Sequence, residues 1–578
     1  MDRNTVLAFA LSMMVFVTYV MYQEERRVES AIAMEAELQA TAEAESSSGS
    51  TSASDLAPVY TADSLSDANS ARVSLSDPKP SEAVPTQVTR PDRVIPLSST
   101  ILENEYVVAK ISNGPGLITG WTLRDFNERL PDGDIPIELI DTERPVIVTD
   151  VAGISGASFA RSRFEVIRES PREVVQRAEN PAGVLTRTIR LDAEGYGFDL
   201  ELSFESYLTD PVDARFEVLL SAQTSLRDDF QEMSLVAYGE EVGVTRSFVQ
   251  AIGQPGFFSF GDPGDGTEDI EGRSKWAGFD IRYFAGLVID PEERPRFDVE
   301  FRAIEEGESG EVRMLLPGVG VASRGVAMES LRGFLGPKTP DALAHANAQL
   351  GKSVDRGWSW LEPLTRFFEI ALDKLYAFIP NYGFAIIVLT ILVRIVTAPL
   401  MVRQMRSSER MREVQPKLKA LQERFKDDKQ KQSEEMMKFY REEGINPLGG
   451  CLPLFLQMPV LIGLFYALRT SIGLRHAPFV FWIDDLSQPA TLFTLPGLDF
   501  PVRILPLIMG ASMFVQQKMM PQTGMDPVQA RMMLIMMPGM MLFISYTFPS
   551  GLVLYWTVSN LLGIAHQYWV RNHLQPKS

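Results

Sequence analysis

The 578-residue chain contains a single cysteine, Cys451, and only four histidines, His345, His476, His566 and His573. One cysteine excludes an intrachain disulfide framework, and Cys451 is expected to pack in its helix as a small apolar residue. The histidines are scattered, so no zinc-ligand spacing exists, and neither a Walker loop nor a nucleophile elbow is present. Gly261 to Gly266 and Gly318 to Gly325 lack the strand–turn–helix context that a phosphate cradle needs. No carboxylate pair stands out for acid–base chemistry. The reading is therefore of a protein that is not an enzyme, with no cofactor and no metal.

Charge is unevenly distributed. From Trp358 onward there are 22 Lys and Arg against 16 Asp and Glu, whereas residues 1–357 carry 33 against 59. An acidic half joined to a basic, methionine-rich, apolar half implies two compartments, and nucleic-acid binding by the acidic half is not expected.

The apolar half also lacks something. Residues 375–402 form an apolar run of 28 residues whose only charge is Arg394. The later uncharged interiors, 445–468, 504–517 and 532–570, contain no Asp or Glu to neutralise it. A guanidinium at bilayer depth costs from ~3 kcal/mol upward, so it must face protein or water rather than lipid. An unpaired intramembrane cation points to a wet cavity that receives something from outside the chain. A structural cation satisfied by helix carbonyls and water is the plainer alternative.

Along the chain, residues 1–23 read as an uncleaved signal-anchor helix, because Thr5 to Gln23 is uncharged and no small-residue cleavage site follows closely. Residues 24–95 are an acidic, Ala/Ser-rich linker without the apolar content for a core. Residues 96–350 carry alternating apolar and polar runs, as at 106–111, 185–191, 198–204 and 296–301, and predict a large antiparallel β-sandwich. Residues 351–375 read as an amphipathic interfacial helix, with Trp360, Leu364, Phe367, Phe368, Ala371 and Leu375 on one side. Residues 376–570 are expected to hold five spans, at about 376–401, 447–468, 502–520, 531–547 and 551–570, followed by a tail at 571–578.

Between the first two of these spans, residues 403–446 form a charged helical hairpin. Val414, Leu418, Leu421 and Phe425 make a coiled-coil seam. It reads either as a solvated structural loop or as a docking platform for a targeting or synthesis machine, such as a ribosome or the signal recognition machinery. Its twelve Lys and Arg place it in the cytoplasm by the positive-inside rule. Both termini are then cytoplasmic and the β domain is exported. Only 14 uncharged residues separate Arg503 from Lys518, a short span that invites local bilayer thinning. Eleven methionines lie in 509–541, among them Met532, Met533, Met536 and Met537; they read either as an adaptable surface that meets many apolar shapes or as packing between helices.

The motifs Asn446-Pro447-Leu448-Gly449-Gly450-Cys451, Gln457-Met458-Pro459 and Phe548-Pro549-Ser550-Gly551-Leu552-Val553-Leu554-Tyr555-Trp556, with Ser559-Asn560, resemble the YidC membrane insertases. So do Arg394 with Pro399-Leu400 and Gln415-Pro416-Lys417. The resemblance spans roughly 355–570 and is of the Gram-negative type, with a periplasmic domain similar to a β-supersandwich. It implies a chaperone-like insertase of the cell inner membrane that handles nascent membrane proteins, alone or with the Sec translocon. The implied machinery is a hydrophilic groove open to the cytoplasm and the lipid bilayer. Its walls, on that resemblance, are Arg394, Thr390, Gln517, Tyr555 and Trp556. Solute transport and envelope glycan processing are the rival classes; the first usually shows internal repeats and the second needs convergent acid–base residues, and neither is found.

Overall fold

The computed structural model describes residues 95–573, apart from 131–132, 142–145, 155–157, 223–232, 254–265, 305–308, 426–427, 443–451, 496–499 and 520–526. The expected anchor (1–23), nearly all of the linker and the motif around Asn446 lie outside the described residues.

Alternating side chains build the first half. In Gly197–Ser206, Phe198, Leu200, Leu202 and Phe204 are buried while Asp199, Glu201 and Ser203 alternate with them. One face therefore turns to a core, the pattern of a half-covered strand. This strand sits within a nine-stranded antiparallel sheet ordered 243–248, 234–239, 276–280, 284–289, 326–337, 197–206, 183–191, 173–180 and 165–170. A six-stranded sheet and a four-stranded sheet, the latter from Ser99–Glu103 to Gly133–Asp141, pack with it around one continuous core. Strands Trp276–Asp280 and Phe284–Ile289 are buried along their whole length. Both of their faces are covered, which requires stacked layers on either side.

Polar pins cross between the layers. Arg187, almost wholly buried, donates to the Gln176 Oε1 (2.7 Å) and to the carbonyls of Ser112 (3.1 Å) and Gly114 (2.9 Å), and lies over the Phe164 ring. Burial pulls its pKa down from the usual arginine value. Asp280 pairs with both Arg246 and Lys338, all three largely buried. A buried ion cluster of this kind holds its geometry tightly because losing one member strands the others.

Helices build the second half. Among the described residues these are α1 (Pro340–Ala346), α2 (Glu362–Phe378), α3 (Tyr382–Arg424), α4 (Lys429–Glu442), α5 (Leu452–Thr470), α6 (Ile504–Met519), α7 (Pro527–Ser545) and α8 (Ser550–His573). The sequence placed the first span at about 376–401, but residues 376–378 finish α2. A turn follows, and Asn381 caps α3 by accepting from the Phe384 N–H (3.1 Å). The helix then runs past Arg403 without a break, so the apolar window and the first arm of the charged hairpin are one helix of 43 residues. Its Arg, Gln, Met and Glu residues are strong helix formers and carry it out of the apolar region. Tyr382–Pro399 is the one helical window among the described residues that is long and apolar enough to cross a membrane; Met458–Thr470 and Leu534–Ser545 are shorter apolar helices.

The amphipathic reading of α2 is refined in the same way. Phe368 and Leu372 are buried, and Leu364 and Phe368 come within van der Waals reach of the space above Gly463 on α5. Phe367 and Ile370 point away from the protein, as do the stacked rings of Trp358 and Trp360. This helix thus has one apolar face against the bundle and another facing outward. The β domain meets the helices at one end of the bundle: Arg282 Nε donates to the Arg469 carbonyl (3.1 Å), and Arg475 Nη1 to the Asn127 carbonyl (2.5 Å).

Candidate functional site

Arg394 sits three turns into α3, on the side that packs against α8. Its Nη2 donates to two atoms of one residue, the Ser559 carbonyl oxygen (2.6 Å) and the Ser559 Oγ (2.7 Å). No carboxylate pairs with it among the described residues, and its Nε finds no acceptor there. The side chain is half-buried. A full positive charge therefore rests on one serine within Tyr382–Pro399, the helical window among the described residues that is long and apolar enough to cross a membrane.

Arg187 shows how different a purely structural arginine looks. It also lacks a carboxylate, yet it is sealed in the β domain, with three neutral acceptors on three residues and an aromatic ring over its plane. Arg394 has one anchoring residue among the described residues, and its side chain is only partly covered. It can meet a further anionic or polar group without first losing its seat.

The neighbours of Arg394 come from α8 and α6. Gly563 lies one turn beyond Ser559, and a Cβ there would come 3.6 Å from Arg394 Nη2 and 2.4 Å from Gln516 Nε2. The Gln516 carboxamide thus lies across the bare backbone of α8 beside the arginine. Asn560 Nδ2 donates to Ser512 Oγ (3.2 Å), tying the same two helices one turn away. Tyr555 and His566, on either side of Ser559 along α8, are within electrostatic range of Arg394. Together they form a polar seam on α6 and α8 facing an isolated cation.

The expected site residues divide. Arg394 and Tyr555 come together. Thr390 is buried one turn before Arg394, but its Oγ1 donates to its own helix at Ile386 (2.6 Å). Trp556 is half-buried and packs against Phe548 (5.9 Å between ring centroids). Gln517 turns to α7, donating weakly to Met537 Sδ (3.7 Å). The glutamine beside Arg394 is its neighbour Gln516, which the sequence reading missed. Met532, Met536 and Met537 are half-buried on α7, and the Met533 side chain lies outside the described residues. In the hairpin, Val414 and Leu418 are buried and Leu421 and Phe425 half-buried. The buried Val414 and Leu418 are inaccessible to a docking partner, whereas Met437 on α4 is exposed. Ser559 enters the sequence reading only as part of a motif, Gln516 carries no signal beyond being a polar residue among apolar neighbours, and Gly563 carries none.

Known proteins resemble the chain in both halves. Residues 100–369 match the family model of the YidC periplasmic domain, and residues 374–577 match that of the 60Kd inner membrane protein. The membrane protein insertase YidC of Pelobacter propionicus is 40% identical over 314 residues, 53% of this chain and 57% of that protein. The YidC of Vibrio cholerae is 41% identical over 302 residues, 52% of this chain and 53% of that one. These alignments span about half the length of the relatives. The YidC of Aliivibrio salmonicida aligns further, at 36% identity over 398 residues, 68% of this chain and 69% of its own length. The chain belongs to the YidC family of inner-membrane proteins, with a periplasmic domain rich in β-sheet.

Proposed function

We propose that the protein is a membrane insertase that helps newly made inner-membrane proteins enter the bilayer, alone or together with the Sec translocon. The observation that carries this reading is the seat of Arg394: a half-buried side chain held, among the described residues, by Ser559, beside Gln516, at the junction of α3, α6 and α8. A polar tail of a substrate would enter from the cytoplasm along this seam and avoid full hydrocarbon. Its acidic groups would be held transiently by a charge that is poorly screened there. The apolar segment would move into lipid along α6 and α7, gaining about 25 cal/mol per Å² of apolar surface removed from water. Burial, with the membrane potential acting on charged tails, is the drive.

The topology proposed with it has five spans within 376–570 plus an anchor at 1–23, both termini in the cytoplasm, and the β domain in the periplasm. The cytoplasmic hairpin of α3 and α4 is its contact for a ribosome or for the signal recognition machinery. The exposed face of α4, rather than the seam, would make that contact. The test is photocrosslinking in inner-membrane vesicles from a photoreactive residue at 516 or 556 during synthesis of a small membrane protein. Adducts to the nascent chain are expected. Adducts to a small solute only, or none at either position, would refute the reading.

A further inference from the structure

The connection between α5 and α6, residues 471–503, contains a small β-hairpin, Phe493–Leu495 paired antiparallel with Phe500–Val502. It has the opposite character to the loops of the β domain. Between Asp485 and Asp499 thirteen consecutive residues carry no charge. Leu492, Phe493, Leu495 and Phe500 are all exposed, with Phe493 and Phe500 each about half uncovered. A soluble loop would not hold so concentrated an apolar surface out to water; such a patch marks a contact with a partner or a membrane.

The hairpin is rigidly placed. Arg503 Nη1 donates to the Tyr546 carbonyl (2.7 Å), an orphan acceptor just past the end of α7, and its guanidinium lies over the Tyr546 ring. The Tyr546 hydroxyl donates in turn to the Pro501 carbonyl, and Phe500 stacks on Tyr546. Arg503 is therefore engaged as a helix C-cap and does not set the upper limit of the span by reaching for water. The hairpin lies at the end of the bundle that meets the β domain, since the same connection carries Arg475, which bonds Asn127. That is the periplasmic end.

Two features select lipid as the occupant. The outward stripe of α6, Leu507, Ile508, Ala511, Phe514 and Val515, follows one helical face, and only Arg503 separates α6 from the second strand of the hairpin. In addition, the 16 residues of α6 span only about 24 Å, against a hydrocarbon core of about 30 Å. We infer that the strand pair Phe493–Leu495 and Phe500–Val502 is a lipid-inserted wedge in the periplasmic leaflet that completes the short α6 span from outside. The bilayer is then held at near-normal depth on the periplasmic side. The deficit falls on the cytoplasmic end of α6, near Gln516 and Lys518, where a substrate would arrive. The wedge itself requires only that the protein lie in the inner membrane and is independent of the insertase reading.

The test uses the full chain in proteoliposomes of Escherichia-type phospholipid composition. Cys451 is replaced by Ser and an NBD fluorophore is attached at Phe493→Cys or, in a second variant, at Leu495→Cys. Val515→Cys on α6 serves as the lipid-facing reference and Met328→Cys, exposed on the β domain, as the aqueous one. Both hairpin labels should be quenched by spin-labelled lipids at least threefold more than the Met328→Cys label, more by shallow than by deep spin labels, and be shielded from iodide. Iodide quenching equal to that at Met328→Cys would overturn the wedge. So would quenching by neither agent, which would show the side chains covered by protein.

Discussion

Replacing Arg394 by Ala separates a working charge from a structural one, and the structure sets the size of both effects. The stability side is small. Two charge-assisted hydrogen bonds to Ser559 are lost, each worth about 1.5–3 kcal/mol, but the cost of holding a guanidinium at membrane depth, about 3 kcal/mol or more, is relieved with them. The net loss should stay within about 3 kcal/mol. The functional side depends on wetness. A carboxylate about 5 Å from the guanidinium gains about 3 kcal/mol at an effective dielectric of 20, and about 0.8 kcal/mol in bulk water. The preference for an acidic over a neutral substrate tail should therefore fall by a factor between about 4 and about 200. The assay is insertion into proteoliposomes of two substrates that differ only in the acidic residues of the translocated tail, scored as their ratio. Arg394→Lys keeps the charge while losing the paired bonds, and should retain most of the ratio. Raising salt to 1 M, where the Debye length falls to about 3 Å, should lower the wild-type ratio if the seam is open to water. An unchanged ratio in Arg394→Ala, accompanied by a clear loss of stability, would refute the reasoning and leave Arg394 as a packing residue like Arg187.

Other consequences are equally concrete. Gln516→Leu should reduce the acidic-to-neutral ratio and Gln517→Leu should not, since Gln517 faces Met537; equal effects in the same insertion assay would contradict the site as drawn. Asp280→Asn strands Arg246 and Lys338 in the β domain and should cost about 3–5 kcal/mol, seen as faster hydrogen exchange across 276–289 in the full chain. Gly278→Ala would put a Cβ 2.0 Å from the Gly286 carbonyl oxygen of the neighbouring strand, and backbone cannot yield as a side-chain tip can. It should destabilise by about 3 kcal/mol or more in chemical denaturation, while Gly320→Ala, with nothing within 4 Å of its Cβ, should be nearly silent.

The strands legible in the sequence are those with one face on the core, such as Gly197–Ser206, because water on the other face writes the alternation. Trp276–Asp280 and Phe284–Ile289 were invisible to the same reading. Layers cover both of their faces, so neither face needs polar residues and the period disappears. The onset of charge at Arg403 suggested a helix end, but charge marks where apolar surroundings stop and says nothing of where helical hydrogen bonding stops. That is how the span and the hairpin arm came to be one helix.

The site repeats this division at the scale of single residues. Arg394 stood out because a lone charge in an apolar run is improbable unless something uses or seats it. Its seat could not be read, because a helix turns about 100° per residue and the choice between Gln516 and Gln517 is a choice between opposite-leaning faces of α6. Sequence fixes the order of polar residues along the helix, whereas packing of α6 on α8 fixes the rotation. Gly563 is where the two meet. Without a side chain, it lets the Gln516 carboxamide lie on the backbone of α8 next to the guanidinium. A serine can hold the arginine, with a neutral amide nearby, without cancelling its charge, which a carboxylate at either position would do. On the proposed insertase reading, the absence of acid that drew attention to Arg394 in the sequence is thus the condition under which the charge would stay free to act on an arriving tail.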